Sequence, residues 1–193
     1  MIINIRGTSG SGKTTLMRHF FELCDSVTEI KPEGAKKIKG YECVYKGETV
    51  FVVGSYSNAC GGCDTVSTQD EICQLIEDFS FDGHVLFEGL FISHIYGRYA
   101  EMAKKDPENF LFVMLETSFE ICMEHIRERR RAAGKSDVLA DSVFKNARRT
   151  YDSTYRIRDK LSNDNLNWVE LPLEDRFNKF EDIVDNQLLD EEF

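Results

Sequence analysis

Apolar and polar positions along this chain repeat with two different periods, and each change of period marks a change of element. Ile2-Ile3-Asn4-Ile5 is a short apolar run of strand-forming residues, and Leu16, Met17, Phe20 and Phe21 then recur at helical spacing, in a helix ending near Cys24-Asp25. The stretch from Val27 to Lys39 is polar and holds Pro32 and Gly34, so it reads as a loop. Tyr41–Tyr45 and Thr49–Val53 are β-rich runs joined at Lys46-Gly47, the pattern of a hairpin. The second run is almost wholly apolar, as in a strand buried on both faces, and it exits into Gly54–Asp64, a stretch dense in small and polar residues. Ser67/Thr68 followed by Asp70-Glu71 opens a helix with Ile72, Leu75, Ile76 and Phe79 on one face.

The alternation continues to the end of the chain. His84–Gly89 is the next strand, a helix is expected from about His94 to Lys105 before Asp106-Pro107, and Phe110–Leu115 is the fourth core strand. Ser118 to about Arg131 is amphipathic, Leu139–Leu161 predicts a long polar helix, Asn167–Leu171 a fifth strand and Glu174–Leu189 a last helix. Strands alternating with helices predict an α/β fold: a five-stranded, mainly parallel sheet with helices on both faces, formed by one domain over residues 1–193.

Composition narrows the class. A chain of 193 residues that is 41% hydrophobic builds one substantial core. No run approaches the roughly 18 apolar residues of a membrane span, and the N-terminus lacks a signal-peptide pattern, so a soluble, cytoplasmic protein is expected. Six cysteines then read as reduced thiols, with Cys60 and Cys63 at metal or redox spacing but without a second such pair or a nearby histidine. The net charge of −10 opposes indiscriminate nucleic-acid binding. It is unevenly spread: residues 125–160 hold eleven Lys/Arg against five Asp/Glu, whereas residues 164–193 hold two against ten, the pattern of a solvated helix with a frayed tail.

The candidate chemistry begins where the first strand ends. Gly7-Thr8-Ser9-Gly10-Ser11-Gly12-Lys13-Thr14, followed by Thr15, matches G-x-x-x-x-G-K-[ST] between a strand and a helix, the context a phosphate-binding P-loop requires. Glycines at 7, 10 and 12 permit positive φ and let backbone N–H groups surround an anion at the helix N-terminus. Lys13 is placed to reach the β- and γ-phosphates of ATP, and Thr14 to offer a hydroxyl to a bridging Mg²⁺. Glu88 closes an apolar strand where an acidic residue holds Mg²⁺ or orients a nucleophile; the competing reading is a carboxylate capping Gly89-Leu90. Asp64 is a candidate for accepting a hydroxyl proton, or an ordinary turn residue. Arg127, Arg130 and Arg131 fall at i, i+3 and i+4 and suggest a phosphate-clamping lid over about 127–137, against the alternative of a solvated helix. Arg98, between Gly97 and Tyr99, is a further substrate-binding candidate, with packing of the neighbouring tyrosines as the alternative.

Two function classes fit a P-loop: a small kinase, or an NTPase that drives a switch or motor. A base-reading N-K-x-D motif is absent, and a motor usually needs more chain. The strand plan with an Arg-rich segment before the last strand resembles the nucleoside and nucleoside-monophosphate kinase group. More narrowly, G-T-S-G-S-G-K-T-T-L-M-R (7–18), the G-S-Y…C-G-G-C-D loop (54–64) and V-L-F-E-G-L-F-I-S (85–93) together resemble phage-encoded kinases that phosphorylate 5-hydroxymethyluracil already incorporated in DNA. The resemblance implies that residues 7–14 hold ATP and that Asp64 and its loop face the acceptor hydroxymethyl group, in the cytoplasm of an infected host. On that reading Gly61 and Gly62 let a DNA strand approach, Tyr56 stacks on an exposed base, and the basic 125–160 region meets phosphates. A kinase for a free nucleoside or nucleotide is the alternative.

Overall fold

In a computed structural model of the chain, which describes residues 1–58 and 60–189, the first strand β1 (Ile2–Arg6) feeds a loop and then helix α1 (Lys13–Leu23). Three strands follow, β2 (Ser26–Ile30), β3 (Gly40–Tyr45) and β4 (Glu48–Val53), then α2 (Gln69–Ser80), β5 (His84–Glu88) and α3 (Gly97–Lys105). The rest comprises β6 (Phe110–Leu115), α4 (Phe119–Ala132), α5 (Asp141–Asn163), β7 (Trp168–Leu171) and α6 (Arg176–Leu188). All the strands join one sheet in the order β2-β3-β4-β5-β1-β6-β7. The segment β4-β5-β1-β6-β7 is parallel, and β3 and β2 add antiparallel to its edge.

The sheet therefore has seven strands among the described residues, not five. β3 is the outer arm of the expected hairpin, continuing the sheet beyond β4. β2 was expected to be loop, because four of its five residues are exposed and its side chains show no apolar alternation. As an edge strand it is held by main-chain pairing to β3 and buries little, so period-2 patterning has no cause there. The helix expected from His94 starts later, at Gly97, since a short 3₁₀ turn occupies Ile92–His94.

Alternation along the central strands sorts side chains into two cores. Leu111, Val113 and Leu115 of β6 join Ile3 and Ile5 under Leu16, Met17 and Phe20 of α1 and Phe180, Val184 and Leu188 of α6. Phe110, Phe112 and Met114 face the opposite layer, with Ile72 and Ile76 of α2, Tyr99 and Ala103 of α3, and Ile157 and Leu161 of α5. A third cluster joins Phe119, Met123 and Ile126 of α4 to Leu139, Ala147 and Tyr151. The acidic C-terminal end is less solvated than its composition suggests. Its helix buries one face, and Asp185 accepts from Tyr45 Oη at 2.7 Å and pairs with Lys46. Of the expected frayed tail, residues 190–193 lie outside the described residues.

Candidate active site

The loop between β1 and α1 sits at the C-terminal edge of the sheet, next to the ends of β5 and β6 that flank β1. Gly10 and Gly12 have φ of +81° and +97°, which a side chain would strain. Gly10 also lies so close to α4 that a Cβ would stand 2.2 Å from the Cys122 carbonyl oxygen. Gly7 departs from expectation: its φ is not positive, and its need is space, since a Cβ there would meet Ser11 Oγ at 2.4 Å. The loop is tied down from several sides. His125 Nδ1 lies 2.7 Å from the Gly10 carbonyl oxygen, Thr8 Oγ1 lies 3.1 Å from Thr150 Oγ1, and Gly7 N–H donates to Ser93 Oγ at 3.3 Å. The first turn of α1 leaves N–H groups without intrahelical acceptors, facing an anion-sized opening.

That opening is a cavity of about 930 Å³ lined by Ser9–Thr15 together with Asp64, Glu88 and Leu90 on one side. Lys13 is buried, and its ammonium donates to the carbonyls of Gly7 at 2.7 Å and Thr8 at 3.0 Å. Burial lowers its pKa, opposed by the negative charge of Glu88 and Asp64. Glu88 is 1% exposed, and its Oε1 accepts from Thr14 Oγ1 at 3.0 Å. Burial pushes the Glu88 carboxyl up to about 7, against the pull of Lys13 and Thr14. Asp64 accepts at both oxygens from the next loop, from Leu90 N–H at 2.8 Å and Phe91 N–H at 3.0 Å. The structure thus unites Ser9–Thr15, Asp64 and Glu88 in one cavity, with Gly7 and Thr8 behind it as acceptors for Lys13, and with an acid–hydroxyl pair (Glu88–Thr14) of the hard oxygen donors that suit Mg²⁺. Such a metal keeps waters and substrate oxygens as ligands, so it needs few protein groups. Among the described residues no trio of His, Cys, Asp or Glu forms a further metal cluster.

Other sequence candidates lie elsewhere. Tyr56 was expected to stack on a base, but it is 7% exposed and packs against Phe21 and Tyr41 in the core. Gly61 and Gly62, read as room for a DNA strand, give room to the protein itself. A Cβ on Gly61 would meet Tyr56 Cδ1 at 2.7 Å, and one on Gly62 the Glu88 carbonyl oxygen at 2.4 Å. Arg98 pairs with Asp70 on the surface and does not line the cavity. Arg127 pairs with Glu124, Arg130 donates to the Ser136 carbonyl at 2.7 Å, and Arg131 pairs with Glu124 and Asp137; none of the three lines the cavity.

Of the arginines of α4, the one that lines it is Arg129, which reaches Ser9 Oγ at 3.3 Å and Cys60 Sγ at 3.4 Å; Arg18 and Arg176 line it from α1 and α6. The helical period explains part of the difference. At ~100° per residue, Arg129 and Arg130 both border the buried stripe of Phe119, Cys122, Met123 and Ile126, whereas Arg131 falls on the far side; Arg129 lies on the Cys122 edge, where α4 approaches Gly10 and Ser9. Periodicity sets Arg131 apart and does not choose between Arg129 and Arg130; tertiary contact does. Arg176 was also missed. It is nearly buried and donates to the carbonyls of Ser11 at 2.5 Å and Glu116 at 2.5 Å and to Thr117 Oγ1 at 2.8 Å, bracing the loop from beneath. Nothing in an acidic C-terminal sequence distinguishes that arginine. Leu173 and Phe177, both partly exposed, close the far end of the cavity beside Arg18.

A strand–glycine-rich loop–helix anion site with a buried carboxylate beside it defines a phosphate-binding site of the kind a kinase or an NTPase uses, and comparison with known proteins decides between them. No family model matches the chain. A curated 5-hmdU DNA kinase of Pseudomonas phage PaMx11 is 37% identical over 135 residues, covering 68% of this chain and 70% of that protein. A 5-hmdU DNA kinase of Pseudomonas phage M6 is 29% identical over 195 residues, covering 95% of this chain and 97% of its own length. One from Bacillus phage SP10 is 25% identical over 138 residues, 67% of this chain but 21% of that protein. The chain belongs to the 5-hmdU DNA kinase family.

Proposed function

We propose that this protein transfers the γ-phosphate of ATP to the 5-hydroxymethyl oxygen of hydroxymethyluracil within phage DNA, working in the host cytoplasm on a substrate destined for thymine hypermodification. The observation that carries the reading is the meeting of the Gly7–Thr14 loop with Glu88 and Asp64 in one cavity, in a chain of this family. No helix among the described residues is long and apolar enough to cross a membrane.

The residues divide the work by position. Loop N–H groups at the α1 N-terminus hold the β- and γ-phosphates, with the adenine directed toward Leu173 and Phe177. Lys13 exchanges its bonds to the Gly7 and Thr8 carbonyls for phosphate oxygens. Thr14 and Glu88 would hold Mg²⁺, which would supply positive charge to offset the charge that builds up in transfer. Each Asp64 oxygen retains a lone pair beyond its bond to Leu90 or Phe91, so this carboxylate orients the acceptor hydroxyl and accepts its proton.

Residues 127–137 act as a lid through Arg129, whose planar fork meets the transferring phosphoryl group. Arg129→Ala is expected to lower turnover by on the order of 10²-fold with a much smaller change in ATP affinity. Arg127→Ala, Arg130→Ala and Arg131→Ala should stay near native turnover. Steady-state kinetics on the four variants checks this, and equal losses in all four would contradict the assignment.

DNA recognition needs a cationic surface despite the net charge. Lys145, Arg149 and Arg156 share one face of α5, all three exposed and without ion pairs among the described residues, while Asp152 on that face is tied to Arg148. They form a phosphate track on the outer face of α5, the helix whose inner face meets the loop where Thr150 Oγ1 lies by Thr8 Oγ1. Each lost cation should then reduce the salt dependence of the DNA KM by about one ion. Measuring KM from low to moderate salt for native protein and Arg149→Gln tests the track.

The proposed activity itself is tested with γ-labelled ATP and an acceptor panel: hydroxymethyluracil DNA, thymine DNA, and the free nucleoside and nucleotide. Labelling confined to the modified DNA is expected. Labelling of the free nucleotide with the modified DNA untouched would favour a small-substrate kinase.

A further inference from the structure

Acceptor chemistry in this cavity poses a geometric problem. The carboxylate of Glu88 and the ammonium of Lys13 lie on a buried floor, so the acceptor hydroxyl must enter a recess. In a duplex the 5-substituent of a pyrimidine lies in the major groove, between the walls of two phosphate backbones. To reach a recess the base has to leave the stack, and an extruded base needs a new flat surface to lie on. Tyr56, the aromatic expected there, is packed in the core.

Few exposed aromatics remain. Phe81 follows α2 and precedes β5, at the edge of the sheet opposite the site. Phe144 stands edge-on to Phe119, with ring centres 5.2 Å apart. Phe177 tilts onto His19 at the nucleotide end of the cavity. Phe91 differs from all three. It is 60% exposed, has no aromatic partner among the described residues, and follows Glu88 by three positions at the C-terminal edge of the sheet.

Its backbone is fixed rather than loose. Asp64 Oδ1 accepts from Phe91 N–H and Asp64 Oδ2 from Leu90 N–H, so the carboxylate proposed to orient the hydroxyl also sets the position of this residue. Beyond it, Ile92 and Ser93 are fully buried, and Ser93 Oγ donates to the Gly89 carbonyl at 2.6 Å while accepting from Gly7 N–H. One turn thus connects the phosphate loop, the carboxylates and an outward-facing ring. Helix α5 packs against the 92–94 part of that turn, and its Arg149, which has no ion pair among the described residues, supplies a cation for a flanking DNA phosphate.

We infer that Phe91 is the stacking platform for the extruded hydroxymethyluracil base, holding it while the hydroxymethyl group enters between Asp64 and the phosphate loop; this rests on the reading of the cavity given above. Phe91→Ala is expected to raise the KM for a duplex acceptor by about 10-fold or more. ATP affinity and the circular dichroism spectrum should stay native, and Phe91→Trp should restore the duplex KM. A base that is already unpaired needs less help, so the deficit of Phe91→Ala should shrink on hydroxymethyluracil placed opposite an abasic site. A duplex with 2-aminopurine opposite the modified base reports extrusion directly: its fluorescence should rise with native protein and with Phe91→Trp, and not with Phe91→Ala. A native duplex KM in Phe91→Ala, or an equal deficit on paired and unpaired acceptors, would overturn the stacking role while leaving the kinase reading intact. No labelling of any modified DNA by native protein would overturn both.

Discussion

Lys13→Met is expected to abolish phosphoryl transfer, with turnover falling by at least on the order of 10³-fold, in a protein that remains folded. The side chain is buried at the centre of the loop with its ammonium on two carbonyls of that loop, and burial already lowers its pKa. An arriving phosphate chain supplies the missing anion. The ammonium is then stabilised where charge develops on the transferring group, which is where electrostatic contributions to phosphoryl transfer are largest. Methionine keeps an apolar stem in the same volume and removes only the charge and its hydrogen bonds. Single-turnover transfer, alongside circular dichroism, checks the expectation; a folded Lys13→Met variant with native turnover would remove the loop from the reaction.

Glu88→Gln is expected to lower turnover by on the order of 10²-fold and, at the same time, to make the ligand-free protein more stable at alkaline pH. Burial pushes the folded carboxyl up to about 7, above the ~4.3 of an unfolded glutamate. Its contribution to stability is therefore full at acid pH and is lost as the pH rises through about 7. Glutamine is neutral throughout, still accepts from Thr14, and escapes that loss. Melting temperatures of the two proteins, measured without ATP or Mg²⁺, should coincide near pH 4, separate progressively as the pH rises to about 7 and keep a constant gap above it, with the variant higher. The same proton competes with Mg²⁺ for the native carboxylate, so the Mg²⁺ concentration for half-maximal activity should rise as the pH falls below about 7. A variant that melts lower than native protein at pH 8 would contradict the buried, proton-holding carboxylate.

The sequence carried the phosphate loop and the parallel strands because each is a local signal: an apolar run, glycines at fixed offsets, a helical stripe. It did not carry β2, whose side chains bury almost nothing and whose place is set by main-chain pairing to β3. Spacing at i, i+3 and i+4 points to Arg127, Arg130 and Arg131, and the buried stripe of α4 does not separate Arg129 from Arg130; contact with Ser9 and the cavity does. Tyr56, Gly61 and Gly62 were misplaced for a different reason. Small and aromatic residues in a loop fit a ligand or the protein's own close packing equally well, and only tertiary contact decides. Arg176 shows the limit from the other side: its five hydrogen bonds join α6 to the phosphate loop and the ends of β6 and β7, and sequence spacing records none of them.

Phosphate is expected on a base inside DNA, and the most direct measurement is the position of the transferred phosphate. A duplex bearing one hydroxymethyluracil, with both 5′ ends already phosphorylated, would be incubated with γ-labelled ATP and Mg²⁺ and then digested to single nucleosides under conditions that spare a phosphate on the hydroxymethyl group. All label should be recovered on 5-phosphomethyl-deoxyuridine, and Lys13→Met should yield none. Label recovered at strand ends, or label appearing equally on a thymine duplex, would contradict that expectation.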